Sequence, residues 1–144
     1  MTALEILTKL IKDSEGCELS AYQCPAGVWT VGYGCTGVDI KKGVTWTQAQ
    51  ADAELDILAQ DVLSKACKAS PNLILASPSK NAAIGDFIYN LGIGNYSKST
   101  LKKYVDQKNW LAADGEIKKW DKAGGVTLKG LTVRRKKESE LLLS

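Results

Sequence analysis

Between residues 17 and 37 the chain changes character, and this change restricts the possible folds more than any other feature. Gly27, Gly32, Gly34, Gly37 and Pro25 are interleaved there with Tyr22, Val28, Trp29, Val31 and Tyr33. That density of glycine and proline excludes a long helix, while the aromatic and β-branched residues suit short strands joined by tight turns. The block predicts a small twisted hairpin sheet. On both sides the apolar period is helical. Thr2 and Glu5 form a T-x-x-E capping box, followed by Leu4, Leu7 and Ile11 beside Ile6 and Leu10, which predicts a helix over about 3–13 that stops near Gly16. Thr47 and Gln50 repeat the box before a stripe of Ala51, Leu55, Leu58, Val62 and Ala66, so a second helix of about twenty residues should reach Lys68.

Pro71 and Pro78 punctuate the connection to an apolar helix marked by Ile84, Phe87, Ile88 and Leu91 and ended by Gly92. Shorter helices are expected over roughly 99–107, 110–120 and 132–142, separated by Gly124, Gly125 and Gly130. The fold class read from this order is α+β and mostly helical. It is one domain, with a hairpin lobe over about 16–45 and a helical lobe of about 46–144 plus the N-terminal helix. A cleft is expected between them. Trp46, Trp110 and Trp120 are expected in the core.

The 144 residues contain no histidine, which removes the usual Ser-His-Asp and Cys-His mechanisms and any histidine zinc site. Cys17, Cys24, Cys35 and Cys67 include no CxxC pair, and no metal or organic cofactor is expected. Acid–base chemistry then rests on carboxylates, as in glycosidases. Residues 98–137 carry 12 Lys and Arg against 4 Asp and Glu, within a net charge of +3. Such a segment suits an anionic polymer, but no nucleic-acid-binding motif accompanies it and no nucleic-acid partner is expected. No apolar run approaches the length of a membrane span, and the N-terminus does not read as a signal peptide.

Glu15, directly after the first helix and facing a glycine-rich hairpin, can sit at the floor of such a cleft. Partial burial there would favour its protonated form, as a general acid requires. The surrounding pattern is Glu15-Gly16, Leu19, Ala21-Tyr22, Gly27, Trp29-Thr30-Val31-Gly32-Tyr33-Gly34 and Thr36-Gly37. Further along come Asp86-Phe87-Ile88-Tyr89-Asn90-Leu91-Gly92, Ser99-Thr100-Leu101, Lys119-Trp120, and Gly130-Leu131 followed by Arg134-Arg135 and Glu138. Together these resemble the phage lysozyme family along nearly the whole chain. The resemblance implies a lysozyme-like fold and hydrolysis of the β-1,4 bond between N-acetylmuramic acid and N-acetylglucosamine in bacterial peptidoglycan. Glu15 would protonate the leaving oxygen, and Thr30 would help position the attacking water.

The family's catalytic aspartate position holds Cys24. Three readings stay open: a thiolate doing the carboxylate's work, a degenerate site in a protein that only binds glycan, or a changed outcome such as transglycosylation with Glu15 alone. Cys35 stands where the family commonly has histidine, and reads as a small buried apolar side chain. Tyr22, Tyr33 and Gly34 are candidate substrate contacts. A Cys17–Cys24 disulfide is a candidate inhibitory lock, with Cys24–Cys35 as an alternative pairing; the spacing does not choose between connectivities. A monomer acting in the periplasm or cell wall of the host is expected.

Overall fold

The computed structural model describes all 144 residues. Helix α1 spans Ala3–Glu15 with Thr2 and Glu5 closing the capping box. Its end is set by Gly16, whose φ of 67° lets the chain turn out of the helix. Strands β1 (Glu18–Gln23) and β2 (Trp29–Gly32) pair antiparallel, with Tyr22 opposite Thr30 and Gln23 opposite Trp29. The register slips between Glu18 and Tyr22, a bulge that bends β1. A bridge from Ser20 to Thr45 ties the hairpin to the segment entering the next helix.

Helix α2 (Gln48–Ala69) starts on its own capping box at Thr47 and Gln50. A 3-10 turn over Pro71–Leu75 leads into α3 (Pro78–Leu91), which is buried from Ala82 to Ile88 and forms the central post of the helical part. Around it pack α1, α2, α4 (Ile93–Ser97) and α7 (Lys129–Leu142), with α5 (Thr100–Asp106) and α6 (Trp110–Ile117) lying against the 3-10 turn and α7 respectively. Twenty buried residues, among them Leu7, Leu55, Ile84, Phe87, Tyr96 and Leu142, form one continuous core. Phe87 meets Tyr96 and Trp120 edge to face. Trp46, Trp110 and Trp120 pack against this core from partly buried positions.

Several details differ from the sequence expectation, among them the unexpected short helix α4 and 3-10 turn. Helix α1 runs to Glu15, so the candidate acid is the last helical residue instead of lying beyond the helix end. A second, two-residue hairpin, β3 (Lys122–Ala123) with β4 (Val126–Thr127), forms around Gly124 and Gly125, both at positive φ. Helix α7 begins at Lys129, ahead of the expected 132, because Gly130 is accommodated in its first turn.

Candidate active site

Glu15 emerges from the C-terminal end of α1 with its side chain 24% exposed. Its Oε2 lies 3.4 Å from Nη1 of Arg134, a buried residue of α7. The same guanidinium donates from Nε and Nη2 to both oxygens of Asp86 on α3, at 2.8 and 2.7 Å. Asp86 is fully buried, so this two-pronged ion pair fixes Arg134 from behind. Burial opposes the Asp86 charge, but its neighbours on α7, with Arg134 bonded to both its oxygens, outweigh burial and hold the carboxyl below its usual range. Arg135, next along α7, pairs with Glu138 at 2.7 Å and donates to Asn90 at 2.8 Å.

Grooves open on two sides of Glu15. One of about 620 Å³ is lined by Glu15, Asn90, Leu131, Arg134 and Lys137. Another of about 350 Å³ is lined by Gly34, Cys35, Leu58, Tyr89 and Ile93. Gly34 belongs to the second groove and abuts the Glu15 carboxyl, so the acid stands where the two approach each other.

The hairpin supplies the remaining groups. Tyr22, Cys24 and Thr30 share one face, because Tyr22 opposes Thr30 and Cys24 is two residues beyond Tyr22. Cys24 opens the turn, which is closed by hydrogen bonds from its N–H to the Val28 carbonyl at 2.9 Å and from the Gly27 N–H to its own carbonyl at 2.8 Å. The nearby Val28 amide is the main influence that lowers the Cys24 thiol below its ordinary range, against some burial, with smaller help from the Ala26 amide and the Thr30 hydroxyl. Thr30 is 5% exposed, and its single hydroxyl proton is directed at the Val28 carbonyl, 3.0 Å away. Tyr22 is 41% exposed; burial and then the charges of Glu15, Glu18 and Cys24 push its phenol up.

Tyr33 does not join that face. It is 7% exposed, and its hydroxyl donates to Asp52 at 3.1 Å while accepting from Gln48 at 3.0 Å, so its ring ties the hairpin to α2 and offers no open side to a sugar. Cys35 is buried, its thiol pushed up chiefly by that burial. All four cysteines are free. A Cys17–Cys24 bridge is incompatible with this fold, because the two residues flank the extended strand β1. At about 3.3 Å per residue their α-carbons are separated by roughly 20 Å, against the 4.4–6.8 Å a disulfide needs.

Asp86 and Arg134 are functional neighbours that residue-level reading of the sequence did not single out. Their only signal was the resemblance, since neither a spacing of 48 positions nor helical periodicity announces a buried ion pair.

A helical body carrying a small hairpin, with a part-buried carboxyl where two grooves approach, has the architecture of a lysozyme-type, carboxylate-dependent glycosidase. Comparison with known proteins agrees. The phage lysozyme family profile matches residues 12–138. The endolysin of Acyrthosiphon pisum secondary endosymbiont phage 1 is 36% identical over 140 residues, covering 94% of this chain and 93% of the relative. The SAR-endolysin of Enterobacteria phage P21 is 35% identical over 130 residues, 90% of this chain and 77% of the relative. Among solved structures, the endolysin from Escherichia coli O157:H7 phage FAHEc1 superposes with a TM-score of 0.86 at 29% identity, covering 100% of this chain and 94% of that one. The chain belongs to the phage lysozyme family. Its activity is that of a muramidase, a glycoside hydrolase that breaks down bacterial peptidoglycan.

Proposed function

We infer that Glu15, Cys24 and Thr30 together carry out the hydrolysis, with Cys24 acting as thiolate in the place of a carboxylate. The observation that supports this reading is the turn at Cys24, whose N–H bonds the Val28 carbonyl at 2.9 Å and keeps the half-buried sulfur on the hairpin face of Tyr22 and Thr30, beside the Val28 amide that lowers the thiol.

In this mechanism Glu15 gives its proton to the glycosidic oxygen as the bond from that oxygen to C1 of the muramyl unit breaks. Positive charge develops on C1 and its ring oxygen, and the Cys24 thiolate stabilises it. Water positioned by the Thr30 hydroxyl adds to C1. Its proton passes to the Cys24 sulfur, and solvent exchange restores Glu15 to the acid and Cys24 to the thiolate. Tyr22, exposed beside both groups, offers a ring face to a sugar, and the backbone at Gly34 lets the glycan pass close to Glu15. The two grooves support a substrate that extends in both directions from the cleaved bond. We further read residues 16–45 as a hairpin lobe facing the helical remainder across this cleft, in a monomer that works where the wall lies, outside the cytoplasmic membrane.

Clearing of permeabilised bacteria, compared among wild type, Glu15→Gln, Cys24→Asp and Cys24→Ala, tests the assignment. Glu15→Gln is expected to lose about 10²–10⁴-fold in rate. Cys24→Ala should lose at least about 100-fold, while Cys24→Asp, which restores a negative charge, stays active. Full activity in Cys24→Ala would refute the role given to the thiolate.

A further inference from the structure

The structure assigns to Asp86 a positioning role in catalysis: it restrains Arg134 so that Glu15 can act as an acid beside a permanent cation. The inference rests on the reading of Glu15 given above. An arginine next to a general acid poses a chemical problem. A guanidinium that chelates a carboxylate holds it ionised, and carboxylates beside arginine lie about 1–3 pH units lower than usual. In this site the chelation is made with the wrong carboxyl for that to happen. Arg134 spends Nε and Nη2 on Asp86, at 2.8 and 2.7 Å, and only Nη1 is turned towards Glu15. At 3.4 Å that contact is an ion pair without a hydrogen bond. Both partners of the inner pair are enclosed, Asp86 at 0% and Arg134 at 4% exposure, so the geometry has little freedom to change.

The surroundings leave Asp86 as the group that decides the orientation. From α7 it is faced by Arg134, Arg135 and Glu138, and Arg135 is itself engaged by Glu138 and Asn90. Glu15 is faced by Arg134 from α7, by the phenols of Tyr22 on β1 and Tyr89 on α3, and by the glycine backbone at Gly34. On its own helix Asp13 is paired with Lys9, and Lys12 is turned towards Asp52. Lys129 and Lys137 of α7 line the same groove, but neither lies within ion-pair distance of Glu15, which leaves Arg134 as the cation in contact with it. Asp86 acts through Arg134 and does not touch the substrate. After proton donation the same Nη1 is in place to stabilise the new Glu15 carboxylate, so the arrangement serves both states of the acid.

The test is the pH dependence of hydrolysis in Asp86→Asn. An amide accepts from one prong of the fork and presents its own N–H₂ to the other, so Arg134 turns to Glu15. The alkaline limb of the pH–activity profile should then move down by about 1 pH unit or more. At neutral pH kcat should fall about tenfold with KM within about twofold. The double variant Asp86→Asn/Arg134→Gln replaces the ion pair with a neutral one of similar shape and should return the limb to its wild-type position or above. It also carries the test if the single variant does not fold. A carboxyl carbon titration of Glu15 by NMR, in wild type and variants, reads the same shift without catalysis, so it separates failure of this inference from failure of the general-acid assignment. A lower melting temperature with an unmoved limb and unmoved Glu15 titration would reduce Asp86 to a structural ion pair and overturn the proposal.

Discussion

A β-carbon built on Gly34 would stand 3.2 Å from Oε2 of Glu15, closer than side chains normally pack. Gly34 also has a φ of 82°, which side chains other than glycine rarely adopt. Both constraints fall on the residue that brings the hairpin backbone against the acid. Gly34→Ala is therefore expected to cost about 1–2 kcal/mol of stability. Its effect on activity should be larger than that loss explains, because the new methyl group displaces the Glu15 carboxyl. Thermal melts and rates of wall hydrolysis measured on the same preparations check this; a fully active, less stable protein would contradict it.

Three of the four thiols should react in a defined order. The Val28 amide lowers Cys24, while burial raises Cys35 and Cys67. A lowered thiol has more thiolate at neutral pH, so alkylation of Cys24 should outpace that of Cys35 and Cys67 at pH 7, with the gap narrowing as pH rises. Activity should disappear in step with Cys24 modification. Mass mapping of iodoacetamide adducts against residual activity reads both.

Replacing the thiol with a carboxylate should extend activity to lower pH. An aspartate keeps its charge down to about pH 4, whereas an unperturbed thiol is charged only above about pH 8. The acid limb of the pH–rate profile of Cys24→Asp should thus lie below that of the wild type. Coincident limbs would show that ionisation of residue 24 does not govern the rate.

Thiol reductant should leave the clearing rate of the folded protein unchanged, since β1 keeps Cys17 and Cys24 at opposite ends of an extended segment. Parallel assays with and without reductant settle the point. A rise on reduction, together with a Cys17–Cys24 cross-link in the oxidised sample, would mean that β1 can be lost and re-formed.

The start of α2 should behave as an ordinary capping site. The Thr47 hydroxyl accepts from the Gln50 N–H at 3.1 Å, and the Gln50 side chain accepts from the Thr47 N–H at 2.8 Å. Thr47→Ala should cost about 1 kcal/mol, measured by denaturant unfolding, with little effect on kcat.

Much of this protein could be read locally. Thr2 with Glu5 and Thr47 with Gln50 marked two helix starts, because a capping box involves residues three apart and needs no partner elsewhere. The glycines from 27 to 37 announced the hairpin for the same reason, and Glu15, Cys24 and Thr30 were legible as a set through their likeness to a known pattern. The small β3–β4 hairpin was missed, since two-residue strands carry no periodicity.

By itself, then, the sequence determined most of the helices, the hairpin and the family, all of which depend on patterns of neighbours a few positions apart. The tertiary structure alone decided which of the candidate side chains face one another. It turned Tyr33 inward to Asp52 and left Tyr22 outside, although both are tyrosines of the same hairpin. It also brought Asp86 of α3 and Arg134 of α7 behind Glu15. The physical reason is that a buried charge is tolerated only where a partner of opposite sign is packed against it, and which helices pack together is settled by the whole core.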